Sequence, residues 1–230
     1  MTYLIYQSLL YTALVIYAYF RIDRHEVDFK TAWNLVLIIM VGGFIGGRLF
    51  HVVYEYPSLY LEHPMQILRF WEGGFVFFGG FLVAMAGFAG YIFWKHEPFL
   101  RWADFFAPII ALGYAFGRLG CLIAGCCYGN FCDAPWAIQN RHPTQVYAFI
   151  TEGLLFLYLI KKEKSHPPAG KIFSLWLIWH GVGRMVMEFY RADFRGAQFG
   201  GLSVSSWISL VILSIGFALY IGLTPIKRRS

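Results

Sequence analysis

The reactive side chains of this sequence concentrate in residues 117–132. The run Gly117-Arg118-Leu119-Gly120-Cys121-Leu122-Ile123-Ala124-Gly125-Cys126-Cys127-Tyr128-Gly129 joins one arginine, four glycines and three cysteines, and the fourth and last cysteine, Cys132, follows at once. Cysteines that only fill a core behave as small hydrophobes and scatter along a chain. Clustering points instead to chemistry: a nucleophile, a metal site or a disulfide. The C-x4-C-C-x4-C spacing fits neither the usual zinc nor the usual iron–sulfur patterns, so no metal is expected; no cofactor is expected either. A disulfide to Cys132 would suit an oxidising face. A thiolate at Cys126 or Cys121 would be favoured by the Arg118 charge and could act as a nucleophile.

A second constellation is a row. His180, Arg184, Glu188 and Arg191 are spaced by four, four and three residues, which predicts one face of a helix. Glu188 can hold Arg184 through charge-assisted hydrogen bonds, and the row runs on into Asp193 and Arg195. A structural ion ladder is one reading. The other joins Arg184 to Arg118: two guanidiniums with glycine N–H groups suit a phosphate or a phospholipid headgroup.

Four smaller features complete the inventory. Gly42-Gly43 and Gly46-Gly47, one turn apart before Arg48, read as helix packing. Glu72-Gly73-Gly74 and Phe78-Gly79-Gly80 admit either packing or backbone contact with a headgroup. His142, in Arg141-His142-Pro143-Thr144-Gln145, is a general base or a polar residue ahead of a proline-initiated helix. Glu152 sits in an apolar stretch and needs a partner that the sequence does not name.

The elements that must position these residues are membrane spans. Of 230 residues, 58% are AVILMFWYC, 20% are aromatic and 14% are charged. A soluble domain carries roughly 25% charged residues, so a soluble globule, a disordered chain and a fibre are excluded. Apolar stretches of helical length exclude an outer-membrane barrel. The expected fold is all-α and polytopic, one domain over residues 1–230 with about seven spans: Thr2–Phe20, Trp33–Tyr54, Phe75–Trp94, Asp104–Cys127, Val146–Ile160, Ile172–Tyr190 and Ser205–Leu223. The fifth reads as short, and glycine suggests that the third and fourth are partly re-entrant. The first lacks a basic n-region and a cleavage site, so it is kept as a mature helix.

Lysine and arginine set the orientation. Arg21, Arg24, Lys30, Lys95, Arg101, Lys161, Lys162, Lys164, Lys171, Lys227, Arg228 and Arg229 fall on one side, against Arg69, Arg141, Arg191 and Arg195 on the other. The positive-inside rule then predicts an external N-terminus and a cytoplasmic C-terminus. The net charge of +6 follows from this bias, and nothing suggests nucleic acid. The remaining arginines, Arg48, Arg118 and Arg184, lie inside spans, where each costs at least about 2.5 kcal/mol. Three such residues in separate helices point to a shared polar cavity.

These residues resemble the bacterial prolipoprotein diacylglyceryl transferases. The similarity runs through Gly46-Gly47-Arg48, Trp71-Glu72-Gly73-Gly74 with Gly79-Gly80, Asp104-Phe105-Phe106-Ala107-Pro108, Gly117-Arg118-Leu119-Gly120, Arg141 to Tyr147, and Arg184 through Glu188 to Arg191. It implies a multi-pass protein of the bacterial inner membrane whose site opens to the outer leaflet. It implies transfer of diacylglycerol from phosphatidylglycerol to the lipobox cysteine of a preprolipoprotein, with glycerol phosphate leaving. The chain also departs from the family. Phe78 stands where the family has a histidine, Cys121 where it has an asparagine and Cys126 where it has a glutamate, and the stretch from Tyr128 to Arg141 is short.

The expected catalytic set is therefore Arg118, Arg184, Cys126, Cys121 and His142. The expected substrate-binding set is Arg48, Glu188, Gly79, Gly80, Gly117, Gly120 and Arg191. A phosphatidylglycerol-like phospholipid, the membrane and a preprolipoprotein are the expected partners. A thiol-redox or sulfur-handling protein and a non-catalytic lipid-binding protein on the same scaffold are the alternatives.

Overall fold

The computed structural model describes residues 2–25, 27–192 and 198–223. Asp193, Arg195, Lys227, Arg228 and Arg229 lie outside the described residues, as does the side chain of Phe78. The described residues are 77% helical. The helices are α1 (Thr2–His25), α2 (Phe29–Phe50), α3 (Pro57–Glu62), α4 (Phe77–Trp94), α5 (Phe99–Ile123), α6 (Thr144–Glu163), α7 (Lys171–Tyr190) and α8 (Val204–Gly222). Two-residue strands, β1 (Gln198–Phe199) and β2 (Leu202–Ser203), pair antiparallel just before α8.

Each predicted span falls on a helix. Three stretches, Phe29–Tyr54, Phe99–Ile123 and Ser205–Gly222, are long and apolar enough to cross a membrane, and Gly79–Trp94 is apolar but shorter. Two expectations change. The glycine-rich α4 and α5 are continuous rather than re-entrant, and α6 is a full 20 residues. α5 also stops at Ile123, so Cys126 and Cys127 lie beyond it. The reason is local. Gly125 takes a left-handed φ of 69°, and Cys126 N–H donates to Cys121 O while Gly125 N–H donates to Leu122 O. That pair of bonds is the Schellman closure of a helix end, which satisfies the last carbonyls.

The chain packs as two units, Arg21–Phe99 and the described residues of Met1–Phe20 with Leu100–Ser230. In the first, α2 and α4 meet on glycine. A Cβ at Gly80 would stand 2.6 Å from Gly43 O, and one at Gly46 would collide with Gly79 O. Small residues one turn apart let the two backbones touch, the association favoured where helices gain little from hydrophobicity.

In the second unit, Ala107 and Ala111 of α5, Leu155 and Leu159 of α6 and Ile172 of α7 form a core cluster. Asp104 of α5 accepts from Gly170 N–H and Phe173 N–H, both at 2.7 Å. A carboxylate thus caps the start of α7, where Gly170 has no side chain to do so and the helix dipole favours negative charge. The helix surfaces reverse the soluble pattern: Leu157 is 63% exposed and Phe189 81%, while Glu152 is 4% exposed. Such a surface suits lipid, and the polar groups turn toward protein.

Candidate active site

The second unit carries a small cleft lined by Tyr114 of α5, Ala148, Thr151 and Glu152 of α6, and Gly183, Arg184 and Met187 of α7. Arg118 stands one turn beyond Tyr114. Its Nη2 donates to Tyr114 Oη at 2.8 Å, and its guanidinium carbon lies 5.0 Å from the centre of the Tyr114 ring. Arg184 donates to Ser205 Oγ of α8, and its Nη2 lies 3.8 Å from Glu188 Oε2. Glu188 in turn accepts from Ser203 Oγ at 2.6 Å. Ser203 is the N-cap of α8 and also accepts from Ser206 N–H, so one hydroxyl ties helix start to carboxylate. Arg184 and the tyrosine that holds Arg118 therefore face one cleft, while Arg48, expected to share it, bonds to the Gln66–Gly74 segment instead.

The sequence left Glu152 without a partner, and the fold supplies His180. The His180 Nδ1 and Glu152 Oε1 are 2.6 Å apart, with side chains 13% and 5% exposed. His180 is stacked on Trp176, with ring centroids 5.2 Å apart, and meets the Tyr114 ring edge-on at 4.8 Å. A carboxylate on Nδ1 fixes the imidazole orientation and leaves Nε2 as the reactive nitrogen. Glu152 Oε2 is buried with no hydrogen-bond partner among the described residues. Sequence reasoning placed His180 on the right face but missed it and Tyr114 as site residues. The available signal was a buried acid, Glu152, with no cation nearby in sequence.

The thiols form a separate cluster. All four cysteines are free, and the Sγ atoms of Cys121, Cys126 and Cys127 lie within 4.8 Å of one another. Cys132 joins a different segment, its N–H donating to Asn140 O at 3.0 Å. The setting of Cys126 disfavours the expected thiolate. Burial and the adjoining Cys127 and Cys121 thiols push the Cys126 thiol up to about 12, the direction opposite to that of an activated nucleophile. The Arg118 charge acts on Cys121 rather than on Cys126.

His142 also finds a structural setting. Its Nδ1 lies 3.1 Å from Tyr147 Oη, which accepts from Trp136 Nε1 at 2.8 Å, and its ring packs 5.0 Å from Tyr190. His142 O and N–H pair with Gly129 N–H and Asn130 O. Gly129 lies so close to Tyr190 O that a Cβ there would clash. The segment after α5 is thus stitched to the ends of α6 and α7.

Several expected binding residues are committed elsewhere. Arg48 donates from Nε to Ile67 O, from Nη1 to Gly73 O and Gly74 O, and from Nη2 to Gln66 O, at 2.6–3.2 Å. Little of its five-donor fork is left for a ligand. Gly79 and Gly80 are buried in the α2–α4 contact, and Gly120 lies against Tyr6, 3.1 Å from where a Cβ would stand. Gly117 faces open space. Arg191 is extended, with φ −86° and ψ 144°, and bridges to Gly129, so it leaves the helical face of His180, Arg184 and Glu188. The four-residue row is three residues long because α7 ends at Tyr190.

Comparison with known proteins shows the family of the chain. The family described as prolipoprotein diacylglyceryl transferase matches residues 2–222. A phosphatidylglycerol–prolipoprotein diacylglyceryl transferase of Clostridium tetani is 34% identical over 199 residues, covering 82% of this chain and 79% of that protein. The Bordetella avium enzyme of the same name is 34% identical over 88% of this chain and 82% of its own. That of Nitrosomonas europaea is 37% identical over 78% and 69%.

Proposed function

Because the chain belongs to the prolipoprotein diacylglyceryl transferase family, we propose that it transfers diacylglycerol from phosphatidylglycerol to the lipobox cysteine of a preprolipoprotein. It does so as one seven-span domain of the bacterial inner membrane, N-terminus outside and C-terminus in the cytoplasm, with both substrates reaching the cleft from the outer leaflet. The single observation that carries the chemistry is the cleft where Arg184, Tyr114 with Arg118, and Glu152 with His180 converge.

The step follows from those groups. The substrate thiol gives its proton to His180 Nε2, which Glu152 orients and, once protonated, stabilises. Its sulfur forms a thioether bond to the glyceryl carbon as the bond from that carbon to the phosphate oxygen breaks. Glycerol phosphate leaves with the electron pair. Arg118 and Arg184 take up the charge that grows on the phosphate, the term usually largest in such sites. Tyr114, Glu188 and Ser205 fix the two forks, and Gly117 leaves room beside Arg118 for the headgroup. Arg48 holds the Gln66–Gly74 segment in this reading. Cys126 and Cys121 are not required as nucleophiles, because the acceptor brings its own thiol. Redox chemistry and non-catalytic lipid binding draw no support from relatives named for transfer.

The test is direct. Protein in phosphatidylglycerol-containing liposomes is mixed with a synthetic lipobox peptide, and products are read by mass spectrometry. A diacylglyceryl thioether with equimolar glycerol phosphate is the expected result. Absence of both, with the protein folded, overturns the reading.

A further inference from the structure

The transfer chemistry leaves the three-cysteine cluster without a task. We propose that Cys121, Cys126 and Cys127 form a binding site for a thiophilic divalent cation, Zn(II), with water as fourth ligand.

Four observations support it. The first is geometry: the three Sγ atoms lie within 4.8 Å of one another, with Cys126 and Cys127 3.4 Å apart. Three sulfurs at about 2.3 Å from a tetrahedral zinc stand about 3.8 Å apart, so small side-chain rotations suffice. The second is support for the ligands. The Schellman turn joins Cys126 N–H to Cys121 O at 3.1 Å, Thr144 Oγ1 donates to Cys127 O at 2.6 Å, and Gln145 Nε2 donates to Cys126 O. Thr144 and Gln145 are 4% and 0% exposed, so the ligand-bearing loop is pinned from a buried helix start. Supporting bonds of this kind fix metal ligands in place. The third is charge. Zinc uptake forms three Zn–S bonds and releases three protons to water, leaving a net charge of −1, which the Arg118 charge acting on Cys121 and Cys127 cancels. The negative end of the α5 dipole also favours a cation. The fourth is access: Cys126 is exposed, so an ion and a water can reach the site.

A Cys126–Cys127 disulfide fits less well. Adjacent residues hold their Cα atoms about 3.8 Å apart, below the usual disulfide range of about 4.4–6.8 Å.

The experiment uses the detergent-solubilised full chain, reduced and then freed of reductant, without lipid or peptide substrate. Zn(II) is titrated against a chromophoric chelator, and Co(II) serves as a spectroscopic probe. One equivalent of tight binding is expected, with an intense thiolate-to-cobalt band. In the wild-type protein, alkylation mapped by mass spectrometry should find Cys121, Cys126 and Cys127 protected by zinc and Cys132 modified. Cys126→Ser should weaken zinc binding on the order of 100-fold, the upper end of what even outer-sphere changes cost, while Cys132→Ser should leave it unchanged. No stoichiometric binding, protection that extends to Cys132, or a disulfide among the three thiols would each overturn the proposal. The wild-type footprint needs no variant to fold, and a negative result leaves the transferase reading untouched because no transfer is measured.

Discussion

Glu152 and His180 lie 28 positions apart in sequence and 2.6 Å apart in space. α6 and α7 bring a buried carboxylate to the Nδ1 of an imidazole packed between Trp176 and Tyr114. If His180 is the proton acceptor, His180→Phe should lower the transfer rate by about 10²–10⁴ and leave the affinity for phosphatidylglycerol nearly unchanged. Glu152→Gln should cost less, since the amide still accepts a hydrogen bond. A His180→Phe protein at wild-type rate would remove His180 from the mechanism.

The arginine fork yields a second expectation. Arg118 is held by Tyr114 both through a hydrogen bond and over its ring. Lysine is a point charge and cannot reproduce a planar fork. Arg118→Lys should therefore be nearly as inactive as Arg118→Ala, and Tyr114→Phe should lose about tenfold or more, since hydrogen bonds to charged groups are worth about 1.5–3 kcal/mol. Steady-state transfer kinetics decide it; full activity in Arg118→Lys excludes a bidentate role.

Arg48 should behave otherwise. Its bonds go to the carbonyls of Gln66, Ile67, Gly73 and Gly74. Arg48→Ala should cost about 2–3 kcal/mol of stability, one or two charge-assisted bonds, with unaltered phosphatidylglycerol affinity in the folded fraction. Thermal unfolding alongside lipid binding separates the two. Unchanged stability with lost lipid binding would return Arg48 to the headgroup site.

The Cys126 thiol, raised to about 12, is neutral across pH 7–9. Alkylation of metal-free protein at Cys126 should therefore be slow in that range and climb only as pH nears the raised value, unlike a free thiol near 8.5. The sign follows from the thiolate being the reacting species. Cys126→Ser should retain transfer. Rapid labelling at pH 7 or loss of turnover in Cys126→Ser would restore the nucleophile.

Topology is the fifth test. Reporter fusions after Lys164 and after Arg229 should read cytoplasmic, and one near Asn130 external, from the twelve-to-four bias of lysine and arginine. An external signal after Lys164 would invert the access route to the cleft.

The sequence by itself determined the helices and the membrane setting, because those depend on composition and on apolar run length, which are local properties. It also singled out Arg118, Arg184 and Glu188 as candidates, since charge inside an apolar stretch is conspicuous without a structure. Contact across helices could not be read. That Glu152 pairs with His180 depends on how α6 packs on α7, and that Arg48 turns to Gln66–Gly74 depends on where a distant segment folds back. The thiols make the same point. Their linear spacing argued against a metal, whereas a left-handed Gly125 folds Cys126 back over the last turn of α5 beside Cys121, and Cys132 bonds separately to Asn140. Spacing along a chain predicts proximity only while the backbone stays regular; at a helix end the turn decides which side chains meet.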